Sequence, residues 1–100
     1  MEKRIEIAGR VLRLRYTVNA LCAVEEKAGG TLDNIMDRQF TATRLLLWGA
    51  MMEYHPETTL EAAGEMISAY IAGGGTLDEI VNLCAELMEG AGFFRHGATE

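Results

Sequence analysis

The feature that most constrains this chain is the stretch from Thr41 to Tyr54, which reads TATRLLLWGAMMEY. Its apolar side chains are too dense to share one face of a helix with about 3.6 residues per turn. A helix that is apolar almost all the way round lies at the centre of a core, or is shared between the core and a partner. We therefore expect this helix to organise the fold and to supply part of an interaction surface.

The composition indicates one folded domain. The chain has 100 residues, of which 49% are hydrophobic and 24% charged, and this balance excludes a disordered chain. The longest apolar run, 45–52, is far shorter than the roughly 20 residues that cross a membrane. The N-terminus is not followed by the long apolar segment of a secretory signal. We expect a cytoplasmic protein without a membrane partner, with a single domain over 1–94 and a flexible tail over 95–100.

Charge is distributed unevenly along the chain. The net charge is −6, which argues against nucleic acid as the partner. Five of the nine basic residues lie in the first 16 positions, whereas residues 46–94 contain eight acids and no Lys or Arg. Two interpretations remain open: the two ends are solvated faces, or the basic and acidic ends stack head to tail between copies.

The first 16 residues predict a β-hairpin. Apolar residues alternate on both sides of Gly9-Arg10, and a type II′ turn there would pair Ile7 with Leu12 and Ile5 with Leu14. A two-stranded hairpin is marginally stable alone, so we expect its apolar side to pack on helices.

Cap residues predict the helices that follow. The expected elements are a helix over 18–28 capped by Thr17 and ended by Gly29-Gly30, a short helix from Thr31 to about Arg38, and the central helix from Thr41. Two capping boxes, Thr58/Glu61 and Thr76/Glu79, begin helices that end near Ala72 and Gly92. Gly49 and Gly64, inside helices, favour close approach of a neighbouring element, and at Gly49 a tolerated kink is the alternative. The predicted fold class is α+β and predominantly α-helical, with an N-terminal β-hairpin packed on a bundle of four to five helices.

Motifs for catalysis or metal binding are absent from the sequence. His55 and His96 have no Cys, Asp or Glu at metal-ligand spacing, and the chain contains no P-loop, GxSxG or GxGxxG. Cys22 and Cys84 fall in apolar helical patterns, which favours small buried thiols over a disulfide or a reactive thiol. We expect a protein that is not an enzyme and that has no cofactor and no metal.

The surplus of apolar side chains is the better indication of function. Methionine-rich surfaces adapt to varied partner helices, although methionine also fills gaps in cores. Trp and Tyr are residue types that anchor interfaces, and adjacent aromatics beside a polar tail are hard to bury. The predicted contacts with a partner or a second copy are Trp48, Met51, Met52, Phe93 and Phe94.

Taken together, the order of elements resembles the tail assembly chaperones of long-tailed phages, prophages and gene transfer agents. The resemblance covers about residues 4–94 and is carried by residue type and order. Its segments are RLRYT (13–17) running into NALCAVEE (19–26), the GTL joint (30–32), FTATRLLLWGA (40–50), TLEAAGEMI (59–67), and a last apolar helix that ends in GFF (92–94).

The resemblance implies a non-enzymatic chaperone of phage tail morphogenesis. Such a protein binds the tape measure protein, keeps that long helical chain soluble, helps to recruit tail tube subunits, self-associates and is absent from the mature virion. Two alternatives remain: a structural connector subunit of a phage tail or head, and a small helical interaction or regulatory domain that binds DNA through its basic hairpin.

Overall fold

The computed structural model describes residues 1–30, 33, 35 and 37–93. In this part of the chain a two-stranded antiparallel hairpin precedes four helices, so the predicted α+β, mainly helical fold is confirmed. The elements are β1 (Lys3–Ile7), β2 (Arg10–Leu14), α1 (Val18–Ala28), α2 (Gln39–Met51), α3 (Leu60–Ala72) and α4 (Leu77–Gly90). The predicted short helix from Thr31 falls largely on residues outside the described ranges, as does the predicted tail over 95–100.

The hairpin forms where it was predicted, but its turn lies elsewhere. Ile5 lies opposite Leu12 and Ile7 opposite Arg10, so the predicted pairing of Ile7 with Leu12 is wrong. The turn residues are Ala8 and Gly9, with φ of 53° and 79°, a type I′ arrangement whose twist matches the strands. The register shifts by two residues, and the side chains therefore keep the faces that the alternation predicted.

Helices α1 and α4 begin where their caps were predicted. The Thr17 hydroxyl accepts a hydrogen bond from the Ala20 N–H, and Gly29 ends α1 in the left-handed conformation at φ 81°. At α4 the Glu79 N–H donates to Thr76 Oγ1 while the Thr76 N–H donates to Glu79 Oε1. The predicted capping box is therefore confirmed.

Helices α2 and α3 differ from the prediction at their ends. Helix α2 begins at Gln39, two residues before the predicted Thr41, and ends at Met51. The N-cap of α3 is Thr59, whose hydroxyl accepts from the Ala62 N–H, so the predicted capping box from Thr58 is wrong. The Thr58 carbonyl instead accepts a hydrogen bond from the Trp48 indole N–H at 3.1 Å. Because Thr58 and Thr59 are adjacent and threonine is a favoured N-cap residue, the sequence alone does not distinguish the two caps.

The C-terminal half of α2 lies at the centre of the main core. Fully buried side chains from the hairpin, α2 and α4 meet there: Leu12, Leu14, Leu47, Met51, Ile80 and Leu87. The Arg15 N–H donates to the Ala50 carbonyl at 2.9 Å and joins the end of the hairpin to α2. The Tyr16 hydroxyl donates to the Leu46 carbonyl at 2.7 Å. The sequence-based expectation that this helix organises the fold is confirmed.

A smaller cluster joins α1 to the first half of α2. Its buried members are Val24, Ile35, Ala42 and Leu45. Gly49 permits the contact, because a Cβ at this position would lie 2.5 Å from Val24 Cγ2. The close approach predicted at Gly49 is confirmed, and the element that approaches is α1.

Candidate functional site

Trp48 is half-buried, and its role in the fold is visible. Its indole packs against the α1–α2 cluster, and its N–H is bonded to the Thr58 carbonyl. A buried indole N–H needs such a partner. Trp48 therefore ties α2 to the segment that leads into α3, and only part of its ring is available to another molecule.

The two predicted methionine contacts are in different environments. Met51 has no exposed surface and packs in the main core, whereas Met52 is half-buried just beyond the end of α2. Met51 has no surface that a partner could touch, so the predicted contact at Met51 is wrong. The physical reason is the helix rotation: an all-round apolar helix does not reveal which of two adjacent methionines faces inward.

The predicted aromatic pair at the end of the domain is only partly described. Phe93 is half-buried and packs against the main core, where α4 has ended. Phe94 lies outside the described residues. Phe93 therefore has a packing role within the chain, and its contact with a partner stays a prediction.

The largest exposed apolar side chain of the helices is one that the sequence-based list omitted. Phe40, at the second position of α2, is 74% exposed, and Ile71, near the end of α3, is 43% exposed. Both line a groove of about 330 Å³ between the two helices, here named the α2–α3 groove. Its lining also includes Thr41, Arg44, Gly64, Ile67, Ser68 and Leu77.

The helical repeat explains why these residues share the groove. On α3, Gly64, Ser68 and Ile71 follow the i, i+4, i+7 spacing that places side chains on one face. On α2, Phe40 and Arg44 are four residues apart and are likewise neighbours. Gly64 lacks a side chain, and the aliphatic stem of Arg44 lies close to it, with Cδ 3.2 Å from the position of a Cβ.

Arg44 is the single charged residue among those that line the α2–α3 groove. Its Nε is buried and has no hydrogen-bond partner within the described part of the chain. The Arg44 side chain as a whole is partly exposed, so it is the charged group that an occupant of the groove would meet. The described lining contains no carboxylate, although the chain as a whole is acidic.

The basic residues of the hairpin, by contrast, are mostly paired within the chain. Arg13 donates to both carboxylate oxygens of Glu2, at 3.0 and 3.1 Å, and its guanidinium lies 4.0 Å from the centre of the Tyr54 ring. The Tyr54 hydroxyl donates to the same carboxylate at 3.1 Å. The hydrogen bonds from Arg13 hold the pKa of Glu2 at about 2, below its ordinary 4.5.

Three further ion pairs involve the hairpin. Lys3 reaches Glu86 at 3.1 Å, Arg10 reaches Glu57 at 3.7 Å, and Arg4 reaches Glu2 at 3.5 Å. Head-to-tail stacking through the basic hairpin would have to compete with these pairs. The head-to-tail interpretation therefore loses most of the cations on which it depended.

The two cysteines lie in opposite environments, so the prediction that both are buried is wrong for one of them. Cys22 is exposed on α1, whereas Cys84 is buried in the main core. Burial raises the pKa of the Cys84 thiol to about 11. Burial likewise raises the pKa of Tyr16 well above its ordinary value. The described residues hold no group of three His, Cys, Asp or Glu side chains that could bind a metal ion.

His55 closes the space between the hairpin and the end of α2. Its Nε2 accepts a hydrogen bond from the Arg13 N–H at 3.1 Å, and its Nδ1 lies 3.4 Å from Arg10 Nη2. The contacts of His55 therefore assign it a structural role in seating the hairpin.

Three sequence signals could have pointed to the α2–α3 groove. Phe40 stands between Gln39 and Thr41, where an isolated aromatic has no apolar neighbours to share a buried face. Ile71 follows Tyr70 directly, and adjacent residues on a helix cannot both face the core centre. The isolated position of Arg44 in the apolar stretch is a third indication, but its lack of a partner is visible only in the fold.

Comparison of the chain with protein-family models, with curated proteins and with solved structures gave no match. Within the described ranges, no helix has the length and apolar content needed to span a membrane.

Proposed function

We propose that this protein is a non-enzymatic assembly chaperone of phage tails that binds the tape measure protein and keeps it soluble. The observation that carries the proposal is the α2–α3 groove, with Phe40 74% exposed on one side and Ile71 on the other. A groove between two helices is a common receptor for the apolar face of a third helix. The resemblance of the element order to tail assembly chaperones supplies the identity of that third helix.

The energetics of the groove suit a reversible holding function. Burying one large apolar side chain contributes roughly 1.5–3 kcal/mol. Phe40 and Ile71 together with a few partner side chains can therefore hold a helix, since the costs of association offset part of this sum. A long helical partner with many apolar stripes would take up many copies of the chaperone. In this proposal the protein acts in the cytoplasm of a bacterial host, helps to recruit tail tube subunits and leaves before the virion is complete.

The direct test is co-expression with the tape measure protein encoded nearest to its gene. We expect the tape measure protein to be soluble with the wild-type chain and to precipitate with Phe40→Asp, because a carboxylate in the groove opposes an apolar partner. The matched control is Val18→Asp, since Val18 on α1 is 62% exposed and does not line the groove. A tape measure protein that is equally soluble, or equally insoluble, with and without the wild-type chain would contradict the proposal.

The gene neighbourhood offers an independent check. A very long reading frame with sustained helical patterning, close downstream of this gene, is the arrangement that the proposal expects. A gene with no phage morphogenesis genes around it would remove the support that comes from the resemblance.

A further inference from the structure

The α2–α3 groove combines an apolar lining with one unpaired cation. Phe40, Ile67 and Ile71 supply apolar surface, whereas Thr41 and Ser68 carry no charge. Arg44 is the exception, and its Nε is buried without a hydrogen-bond partner among the described residues. Its aliphatic stem lies beside Gly64, with Cδ 3.2 Å from the place that a Cβ there would take.

The setting of Arg44 differs from that of the hairpin cations. Arg13, Arg10 and Lys3 each lie within 4 Å of a carboxylate of the same chain, at 3.0, 3.7 and 3.1 Å respectively. In a chain with 15 acidic residues against nine basic ones, carboxylates are the abundant partners. Within the described part of the chain, Arg44 has none of them.

We infer that the groove recognises an amphipathic helix that carries an Asp or Glu within its apolar stripe, and that Arg44 binds this carboxylate. The inference rests on the proposed function, since it specifies the partner of the same groove. A guanidinium binds a carboxylate through charge-assisted N–H···O bonds. Arg44 lines the groove and is partly exposed, so a carboxylate in the stripe of a docked helix can pair with it.

The same chemistry selects among helices. An apolar stripe without an acid would fill the groove but leave the Arg44 side chain without a carboxylate. A stripe with a Lys or Arg would place two cations together at low dielectric, which is strongly unfavourable. The groove thus reads one position of the partner helix by charge and the flanking positions by apolar contact.

The test uses two designed amphipathic peptides of about 15 residues, which span about 22 Å as helices. Both carry leucines at i, i+3, i+4 and i+7 spacing, and they differ only at the centre of the stripe, where one has Glu and the other Gln. Binding to the intact chain is measured by fluorescence anisotropy at low and high salt. We expect the Glu peptide to bind about tenfold more tightly than the Gln peptide, as a charge-assisted pair would.

Two variants test whether Arg44 causes the preference for the Glu peptide. In Arg44→Gln the preference for the Glu peptide should disappear, whereas in Arg15→Gln, which removes an exposed cation outside the groove, it should be unchanged. A thermal melt of each variant checks that the fold is kept. Preference for Glu that persists in Arg44→Gln would overturn the assignment of Arg44.

The remaining outcomes separate this inference from the proposed function. If both peptides bind equally to the wild type and Phe40→Asp abolishes both, the groove binds helices and the carboxylate inference is wrong. If neither peptide binds, docking of a helix in the groove fails and the inference fails with it. If sedimentation of the chain alone shows a dimer that Phe40→Asp dissociates, the occupant is a second copy, and the inference is again overturned.

Discussion

The two halves of α2 belong to the same helix but have different surroundings. The closed end, which comprises Leu47, Ala50 and Met51, has no exposed surface and is covered by the hairpin and α4. The open end, which comprises Phe40, Thr41 and Arg44, lines the α2–α3 groove, whereas Ala42 and Leu45 in the same half are buried against α1. The apolar content of the helix is thus divided between a core and a candidate binding surface.

The two ends of α2 differ because the hairpin covers only the closed end. The hairpin contributes Leu12 and Leu14 to the closed end, and no equivalent element among the described residues covers Phe40. A domain of 100 residues buries only about two thirds of the surface that its unfolded chain exposes. Two of the exposed large apolar side chains, Phe40 and Ile71, lie together in the groove, and adjacent exposed apolar side chains are typical of an interaction site.

The largest expected difference in stability is between two variants that place a carboxylate in α2, one at the closed end and one at the open end. Leu47→Asp puts a carboxylate where the side chain is fully buried, and we expect it to lower the free energy of unfolding by about 3–5 kcal/mol. Phe40→Asp replaces a side chain that is 74% exposed, and we expect a change within about 0.5 kcal/mol. Urea unfolding followed by circular dichroism measures both. Similar losses of stability in the two variants would show that the open end is part of the core.

Cysteine reactivity compares an exposed helix face with the main core that covers the closed end. With a pKa of about 11 instead of 9.0, Cys84 has about 100-fold less thiolate, and its burial blocks access as well. We expect iodoacetamide at pH 8 to label Cys22 and leave Cys84 unmodified, as read by mass spectrometry of peptides. In urea both should be labelled. Rapid labelling of Cys84 in the native protein would mean that the main core opens readily.

The two glycines inside helices, Gly49 on α2 and Gly64 on α3, test how tightly a neighbouring side chain packs against each position. Gly49→Ala would place a Cβ 2.5 Å from Val24 Cγ2, and we expect a net destabilisation of about 1–3 kcal/mol. Gly64→Ala would meet only the flexible stem of Arg44, at 3.2 Å. Its gain in helix propensity, about 1 kcal/mol, should offset the contact and leave stability unchanged or higher. Equal effects at the two sites would argue that α1 does not pack tightly on α2.

The smallest expected effect concerns the charges that hold the N-terminus to the hairpin. The pKa of Glu2 is about 2 in the fold and 4.5 ordinarily, so its ion pairs stabilise the protein above pH 4.5 and are lost as the pH falls from 4.5 to 2. Glu2→Gln should therefore flatten the pH dependence of the melting temperature within that window. Because Glu2 and Arg13 are at the surface, salt should weaken the effect. A slope identical to that of the wild type would show that the pairs do not form in solution.

How far the sequence predicted this fold depended on the kind of signal. Caps act locally, and the cap residues correctly predicted both ends of α1 and the start of α4. These residues are Thr17 and Gly29 for α1, and Thr76 and Glu79 for α4. The hairpin turn was misplaced because a register shift of two residues leaves every side chain on the same face, so alternation alone does not distinguish the two registers.

The candidate site was the least predictable part, and the reason lies in α2. A helix that is apolar on all sides has no marked polar face, so its rotation is set by what packs on it. The sequence predicts a partner contact at Met51, which is buried, and none at Phe40, which is exposed. Two features of the site depend on tertiary packing, which the sequence pattern does not show. They are the position of the hairpin over Met51 and the lack of a hydrogen-bond partner for Arg44 Nε among the described residues.

Hydrogen–deuterium exchange of the chain, alone and mixed with the tape measure protein, can locate the surface that binds a partner. If a partner helix docks in the α2–α3 groove, exchange slows in residues 39–44 and 64–71, on the two sides of the groove, and is unchanged in the hairpin over 3–14. Protection confined to the hairpin or to α1, with exchange in the groove unaltered, would contradict docking in the groove.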